Sequence, residues 1–366
     1  MKIREIRNHL EQIAPVALQE SYDNSGLLVG NEDMELTKAL ICLDSTEEVI
    51  DEAIAKGCNL VVAHHPIVFR GLKRFNGSDY VQRVVMKAIK HDIAIYAIHT
   101  NLDNVLVSGV NGKIAEKLGL DNCKVLAPKT GLMQKLQVFV PLAQKEKVRQ
   151  AIAEAGAGEI GHYDHCSFES EGVGRFKANE GSKPFVGEKG KVHAEHEVKI
   201  EAVFPSYSQG AVLKALFEAH PYEEPAYDIF NSDTINAHNG SGLVGSLKES
   251  MTLDQFLAHL KTSMEATVIR YASAGEKKIQ KVAVCGGSGS FLLNAAKAQK
   301  ADVFVTGDFK YHEFFDGEDQ VHICDIGHYE SEHYTIELLA QIINKKFPNF
   351  AVLLTDTNTN PVQYYF

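Results

Sequence analysis

The stretch Asn59-Leu-Val-Val-Ala-His-His-Pro66 decides the reading of this chain. Residues 60–63 read as a buried strand, and Pro66 stops it because a proline cannot continue a ladder. His64 and His65 therefore lie at the carboxyl end of a core strand, where open α/β sheets place their ligands. Side chains alternate along a regular strand, so adjacent histidines can face one site only where pleating ends. A strand-end histidine on its own is as readily solvated or hydrogen-bonded as functional. The polar residues at similar positions further along are what change the reading.

The run Ile93 to Ile98 ends in His99, Thr100, Asn101 and Asp103. Near the other end of the chain, Val321 to Asp325 reads as a strand, Gly327 as a turn, and Tyr329 to about Lys345 as a helix. His328 and Glu332 are four residues apart, which puts them one helical turn apart on a shared face; Glu330 would point elsewhere. His64, His65, Asp103, His328 and Glu332 thus arise at three strand ends. Asp103 and Glu332 also have a plain reading, as a helix cap and a first-turn acid. Together the five exceed what one tetrahedral zinc needs and suit two divalent cations bridged by a carboxylate and a water. Such a pair outweighs its carboxylates in charge and would attract an anionic ligand. Zinc is the first expectation, with iron, manganese or nickel open, because imidazole and carboxylate do not choose between them.

Around these runs the chain alternates strand and helix. Ala39 to Leu43, Leu60 to Ala63 and Ile93 to Ile98 read as strands; Thr46 to Lys56, Ser78 to Lys90 and Val110 to Leu118 read as helices. The last segment repeats the rhythm, with strands at Val282 to Cys285, Val303 to Thr306, Val321 to Cys324 and Ala351 to Thr355. Alternation at this spacing predicts crossover units and a mainly parallel sheet. Residues 128–231 break it. Their strand-helix-strand-strand-helix-strand order predicts an inserted ferredoxin-like α+β domain. The expected fold is a two-lobed α/β core, residues 1–127 and 232–366, interrupted by that insert. Every proposed ligand lies outside it.

These elements make a resemblance visible. Tyr22-Asp-Asn-Ser-Gly-Leu-Leu-Val-Gly30, His64-His-Pro66, His99-Thr-Asn-Leu-Asp103, Thr306-Gly-Asp308 with His312, and Gly327-His-Tyr-Glu-Ser-Glu332 resemble the dinuclear metal-centre proteins called GTP cyclohydrolase I type 2 homologues, also the NGG-interacting-factor-three-like family. Their order matches in both halves of the chain. One departure is Tyr22, where the family usually has tryptophan. The resemblance implies a metal pair held by His64, His65, Asp103, His328 and Glu332, and a toroidal homohexamer. The Pro221-Tyr-Glu-Glu-Pro-Ala-Tyr-Asp228 segment resembles the module, similar to CutA and PII folds, inserted in longer bacterial members.

Other candidates are weaker. Gly286-Gly-Ser-Gly-Ser290 can cradle a phosphate or form a tight turn beside the site; it lacks the Walker lysine and the dinucleotide spacing. His99 and His312, the latter with Asp308 four residues before it, are candidates for acid–base work or for orienting ligands. His162, His165, His193 and His196 read as surface histidines. Ser25, Ser45 and Ser288 show no paired base, so the supported chemistry is attack by metal-activated water. Opening the guanine ring of GTP is one such reaction. A non-catalytic, metal-dependent regulatory or metal-handling hexamer is the competing class.

Composition bounds the partners. Hydrophobic content of 45% with 23% charged residues in 366 residues is ordinary globular composition, sized for two domains. A net charge of −11 argues against nonspecific nucleic-acid or membrane binding. Six cysteines without metal-knuckle spacing read as reduced, buried side chains, and no signal-like segment opens the chain. No apolar run reaches the roughly 18–20 residues needed to span a bilayer. A cytoplasmic protein is expected.

Overall fold

A computed structural model describes residues 1–365. Those residues form a mixed α/β structure with three sheets. The chain divides into one unit formed by Met1–Ala127 with His238–Phe366, and a second formed by Pro128–Ala237.

In the first unit a five-stranded sheet is built around Leu60–Ala63, which is buried along its whole length. Ala39–Cys42 and Ala94–Ala97 pair with it in parallel on either side, and both are equally buried. Such strands read as continuous apolar runs because helices cover both faces. The helix Glu47–Lys56 shows the local code at work. Thr46 Oγ1 accepts the Val49 N–H at its start, and Gly57, at φ +70°, turns the chain at its end. Gly26–Val29 adds an antiparallel edge beside Ala94–Ala97.

The second sheet of this unit has six strands. Ile279–Ser288, Val303–Gly307 and His322–Asp325 are parallel neighbours. Gly240–Met251 and Arg270–Ala272 flank them antiparallel. The parallel character expected from the sequence is thus confined to the middle of this sheet. The antiparallel strands and the helix Leu253–Ser263 fall where the alternation gave no reading. A second difference concerns Val352–Leu354, which pairs in parallel with Ala39–Cys42 in the first sheet. The end of the chain therefore returns to the opposite sheet. Periodicity identifies a strand but not the sheet it joins, because either sheet offers an edge.

A third difference is the final helix. His328–Glu332 and Thr335–Lys346 are separate helices, divided at His333 and Tyr334. The one-turn spacing of His328 and Glu332 survives because both lie in the first piece.

The Pro128–Ala237 unit holds a four-stranded sheet in the order Phe168–Lys177, Val192–Pro205, Met133–Pro141, Tyr227–Ser232, with all pairs antiparallel. The helices Lys145–Glu154 and Gln209–Ala219 pack Val148, Ile152, Val212 and Leu216 against Leu136, Val138, Ile200 and Phe204. This is a core of its own. Cys42, Cys58, Cys285 and Cys324 are buried, all in the first unit. Among the described residues no helix is long and apolar enough to cross a membrane.

Residues 128–237 expressed alone should melt cooperatively. Phe204→Ala in that fragment should lower stability by about 3–5 kcal/mol through the cavity it leaves. A broad, non-cooperative thermal transition by circular dichroism would contradict an independent core.

Candidate metal centre

His64 and His65 leave the end of Leu60–Ala63 with their amides bonded to Cys42 and Leu43 carbonyls, at 3.2 and 2.9 Å. Past the last regular strand residue both rings turn to one side, their centroids 4.9 Å apart. His328 and Glu332 come from the short helix after His322–Asp325. Asp103 comes from the short helix Thr100–Asp103, which follows Ala94–Ala97. Three strand ends from two sheets thus converge.

The carboxylate of Glu332, 3% exposed, lies at the centre. Its Oε2 is 3.0 Å from His65 Nε2 and 3.1 Å from His328 Nε2; its Oε1 is 3.7 Å from His64 Nε2. Asp103 Oδ1 is 3.7 Å from the same His64 nitrogen. Two triads with metal-ligating spacing share this one carboxylate: His65, His328 and Glu332, and His64, Asp103 and Glu332. His99 forms a further triad with His64 and His65.

Each imidazole is held by its other nitrogen. His64 Nδ1 bonds the Ile98 carbonyl at 2.8 Å, and the Nδ1 atoms of His65, His99 and His328 bond Asp44, Asp23 and Asp308, each at 2.7 Å. An acceptor at Nδ1 fixes the proton there and leaves the Nε2 lone pair facing the cluster, the arrangement that metal-bound histidines adopt. Asp23 also accepts from the Thr100 amide and hydroxyl, and Asp44 from Thr359 Oγ1 at 2.8 Å.

Charge follows this geometry. Burial disfavours ionised Glu332, but the three histidines around it outweigh burial and hold it well below the usual carboxylate range. Burial opposes protonation of His65, yet Asp44 and Glu332 push it up to about 10; the same contest with Asp308 and Glu332 pushes His328 up to about 11. Burial lowers His64. Burial and the Glu332 charge raise Asp103.

The donor set could hold a metal ion. His64 Nε2 and Asp103 Oδ1 are buried with no hydrogen-bond partner, an expensive state for polar atoms. His65 Nε2 and His328 Nε2 stand only 3.3 Å apart, both aimed at the same carboxylate oxygen. One cation among the three groups would satisfy them all.

The glycine-rich stretch is a different feature from the expected turn: Gly286 and Gly287 lie in the strand Ile279–Ser288, where its pairing with Val303–Gly307 shifts register between Val284 and Ser288. The Gly286 amide donates to Asn111 Oδ1 and the Gly287 amide to Ser331 Oγ, each at 2.9 Å, so neither is free for a phosphate. A Cβ on Gly287, at φ +62°, would overlap Glu332 Oε1. The residue here is small so that the buried carboxylate can lie against backbone. Of the acid–base candidates, His99 stands beside the cluster, its ring centroid 5.3 Å from that of His64. His312 is exposed among the rings of Tyr311 and Phe315 and belongs to none of the triads. Asp308, expected to work with His312, instead orients His328. Asp44 was missed by sequence reasoning, although it sits two residues past the end of Ala39–Cys42, at one more strand end. Asp23, in the Tyr22-Asp-Asn run, orients His99.

A cavity of about 640 Å³ opens on His65, His99 and His328, walled by Phe69, Arg270 and Tyr364. The Arg270 side chain, its guanidinium braced by Asp325 and the Phe309 carbonyl, is about half exposed.

The sequence profile of the Duf34/NIF3 (NGG1p interacting factor 3) family matches residues 1–361. The chain belongs to this family. Among its relatives in the Duf34/NIF3 family, the GTP cyclohydrolase 1 type 2 homolog of Bacillus subtilis is 42% identical over 360 residues, covering 97% of this chain and 96% of that protein. The protein of the same name from Halalkalibacterium halodurans is 40% identical over 359 residues, with the same coverage of each. The crystal structure of a Bacillus cereus protein related to NIF3 superposes with a TM-score of 0.87 at 40% identity, covering 100% of this chain and 99% of that one. A Staphylococcus aureus crystal structure gives a TM-score of 0.77 at 33% identity with equal coverage.

Gly287→Ala should destabilise the protein by about 1–2 kcal/mol from the left-handed backbone alone, and further through displacement of Glu332. Urea titration measures this; an unchanged midpoint would show that Gly287 does not constrain the carboxylate.

Proposed function

We propose that this chain binds two divalent metal ions, zinc first among the candidates, and works as a metal-dependent hydrolase on a nucleotide or a related phosphorylated compound. The observation that carries the reading is the single Glu332 carboxylate shared by two ligand triads. His65, His328 and Glu332 would hold one ion; His64, Asp103 and Glu332 would hold the other. When bound, such a pair activates water and polarises the group it attacks.

The remaining roles fall to the chain's own residues. Asp44 and Asp308 keep His65 and His328 in the ligating tautomer. Asp23 holds His99 with its free nitrogen toward the cluster, so that His99 can take or give a proton beside it. Arg270 offers a cation to an anionic substrate in the cavity wall. That cavity favours an enzyme over a metal-handling protein, since a storage site has no need of a space walled for a small molecule. The relatives' name, GTP cyclohydrolase 1 type 2 homolog, supports GTP as the first nucleotide to test.

In this proposal the protein is a homohexamer, as the family resemblance implies, and cytoplasmic, as its composition suggests. The Pro128–Ala237 unit is a ferredoxin-like insert, supported by its antiparallel strand order.

Elemental analysis combined with light scattering should give two metals per chain and six chains per particle. His64→Ala should lose at least one metal, and Glu332→Ala at least one, with both at risk because it is shared. Wild-type metal content in both variants would refute the ligand assignment, and a monomer at micromolar concentration would refute the ring. The activity is tested by a turnover screen of the metal-loaded protein against GTP, other nucleotides and phosphoesters. Glu332→Gln should reduce any turnover by about a hundredfold or more. A fully metallated protein inert across the panel would favour the regulatory reading instead.

A further inference from the structure

The Pro128–Ala237 unit contains a second cavity, of about 810 Å³, lined entirely by its own residues. That volume is within the range of small-molecule sites. It lies on the face of the sheet opposite the helix-packed core. Along Val192–Pro205 the residues Val198, Ile200, Ala202 and Phe204 face that core, whereas Glu197 is on the alternate face and lines the cavity.

Glu197 is the unusual group. It is only 9% exposed, yet it forms no ion pair among the described residues. Its Oε1 accepts the Tyr222 hydroxyl at 2.9 Å, and no described residue donates to its Oε2. Burial, together with the Glu197 charge, pushes the Tyr222 hydroxyl above its ordinary range, so Tyr222 stays a donor and fixes the carboxylate in place. Two glycines on the neighbouring strand make room. Gly172 is directly opposite Glu197, and a Cβ on Gly174 would overlap Glu197 Oε2. A buried carboxylate with an unused oxygen at a cavity wall lacks a positive partner.

The rest of the wall is aromatic. Phe176 and Phe185 stand 5.9 and 6.3 Å from the Tyr222 ring, and Phe139 closes the cavity beside them. Ring faces attract a cation, most strongly where water is excluded. Around the rim, exposed Arg175, Lys177 and Lys183 are balanced by exposed Glu180, Glu223 and Glu224. The uncompensated charge of the cavity is therefore that of Glu197.

We propose that this cavity is a binding site for a small primary alkylammonium compound, its nitrogen donating to Glu197 Oε2 and its carbon chain lying among Phe176, Phe185 and Tyr222. The site is separate from the metal centre and independent of the reading given to it. A primary ammonium suits it because the free oxygen needs a donor, which a quaternary nitrogen lacks.

Isothermal titration of the full chain with n-pentylammonium chloride, at constant ionic strength, should show saturable binding of one molecule per chain. The neutral isostere 1-pentanol should bind at least about tenfold more weakly, because a charge-assisted hydrogen bond is lost. Glu197→Gln, which still accepts from Tyr222, should weaken the ammonium by a similar factor while leaving pentanol unchanged. Gly174→Ala should abolish binding by occupying the space of the carboxylate. Equal affinity for the amine and the alcohol on the wild-type protein would overturn the proposal without relying on any variant. So would undiminished affinity in a folded Glu197→Gln protein. No saturable heat up to millimolar amine would also overturn it, as expected if another copy of the chain fills the cavity in solution.

Discussion

A carboxylate that is almost fully buried and still ionised imposes demands on everything around it. Glu332 has three imidazoles within 3.0 to 3.7 Å, and each of those rings is fixed by an acceptor behind it. Three of the acceptors around the cluster are themselves carboxylates, Asp23, Asp44 and Asp308. The centre is thus layered, a carboxylate within imidazoles within a ring of acceptors. It holds together only if every layer is rigidly placed. Core strands supply that rigidity, since Leu60–Ala63, Ala94–Ala97 and His322–Asp325 are buried along their lengths. Their ends are the places where a side chain can leave the pleat and face its neighbours.

The same constraint explains small features that otherwise look unrelated. Gly287 lies where a side chain would strike the central carboxylate. Asn111 and Ser331 take up the Gly286 and Gly287 amides, so neither competes for Glu332. Thr359, near the end of the chain, braces Asp44, and the Asn360–Tyr364 stretch walls the neighbouring cavity. The return of Val352–Leu354 to the first sheet is what carries these residues to the site. A centre assembled from both sheets of one unit is closed by the final residues of the same unit.

Much of this was readable residue by residue. His64, His65, Asp103, His328 and Glu332 each follow an apolar run, and a hydrophobic strand that stops abruptly in polar residues needs a reason for those residues to be there. The helix period placed His328 and Glu332 on one face, and the structure brings them within 3.1 Å despite breaking the helix just beyond them. His312 illustrates the opposite case. Its spacing from Asp308 satisfied the helix period, but Asp308 adopts φ +60° and turns to His328, leaving His312 outside. Local spacing cannot register a backbone turn that tertiary contacts select.

What the sequence determined by itself was the inventory: which runs are core strands, where they end, which donors stand there, and that residues 128–231 follow a different rhythm. Those features depend on periodicity and on short-range sterics, which act between residues close in the chain. What only the tertiary structure decided was assembly: that Glu332 is shared between two triads, that Asp23 and Asp44 hold the rings, that the last strand crosses to the other sheet, and that Glu197 is buried beside a cavity. Each of these joins residues separated by tens to hundreds of positions. Their meeting depends on how sheets pair and pack, and that information is spread over the whole core.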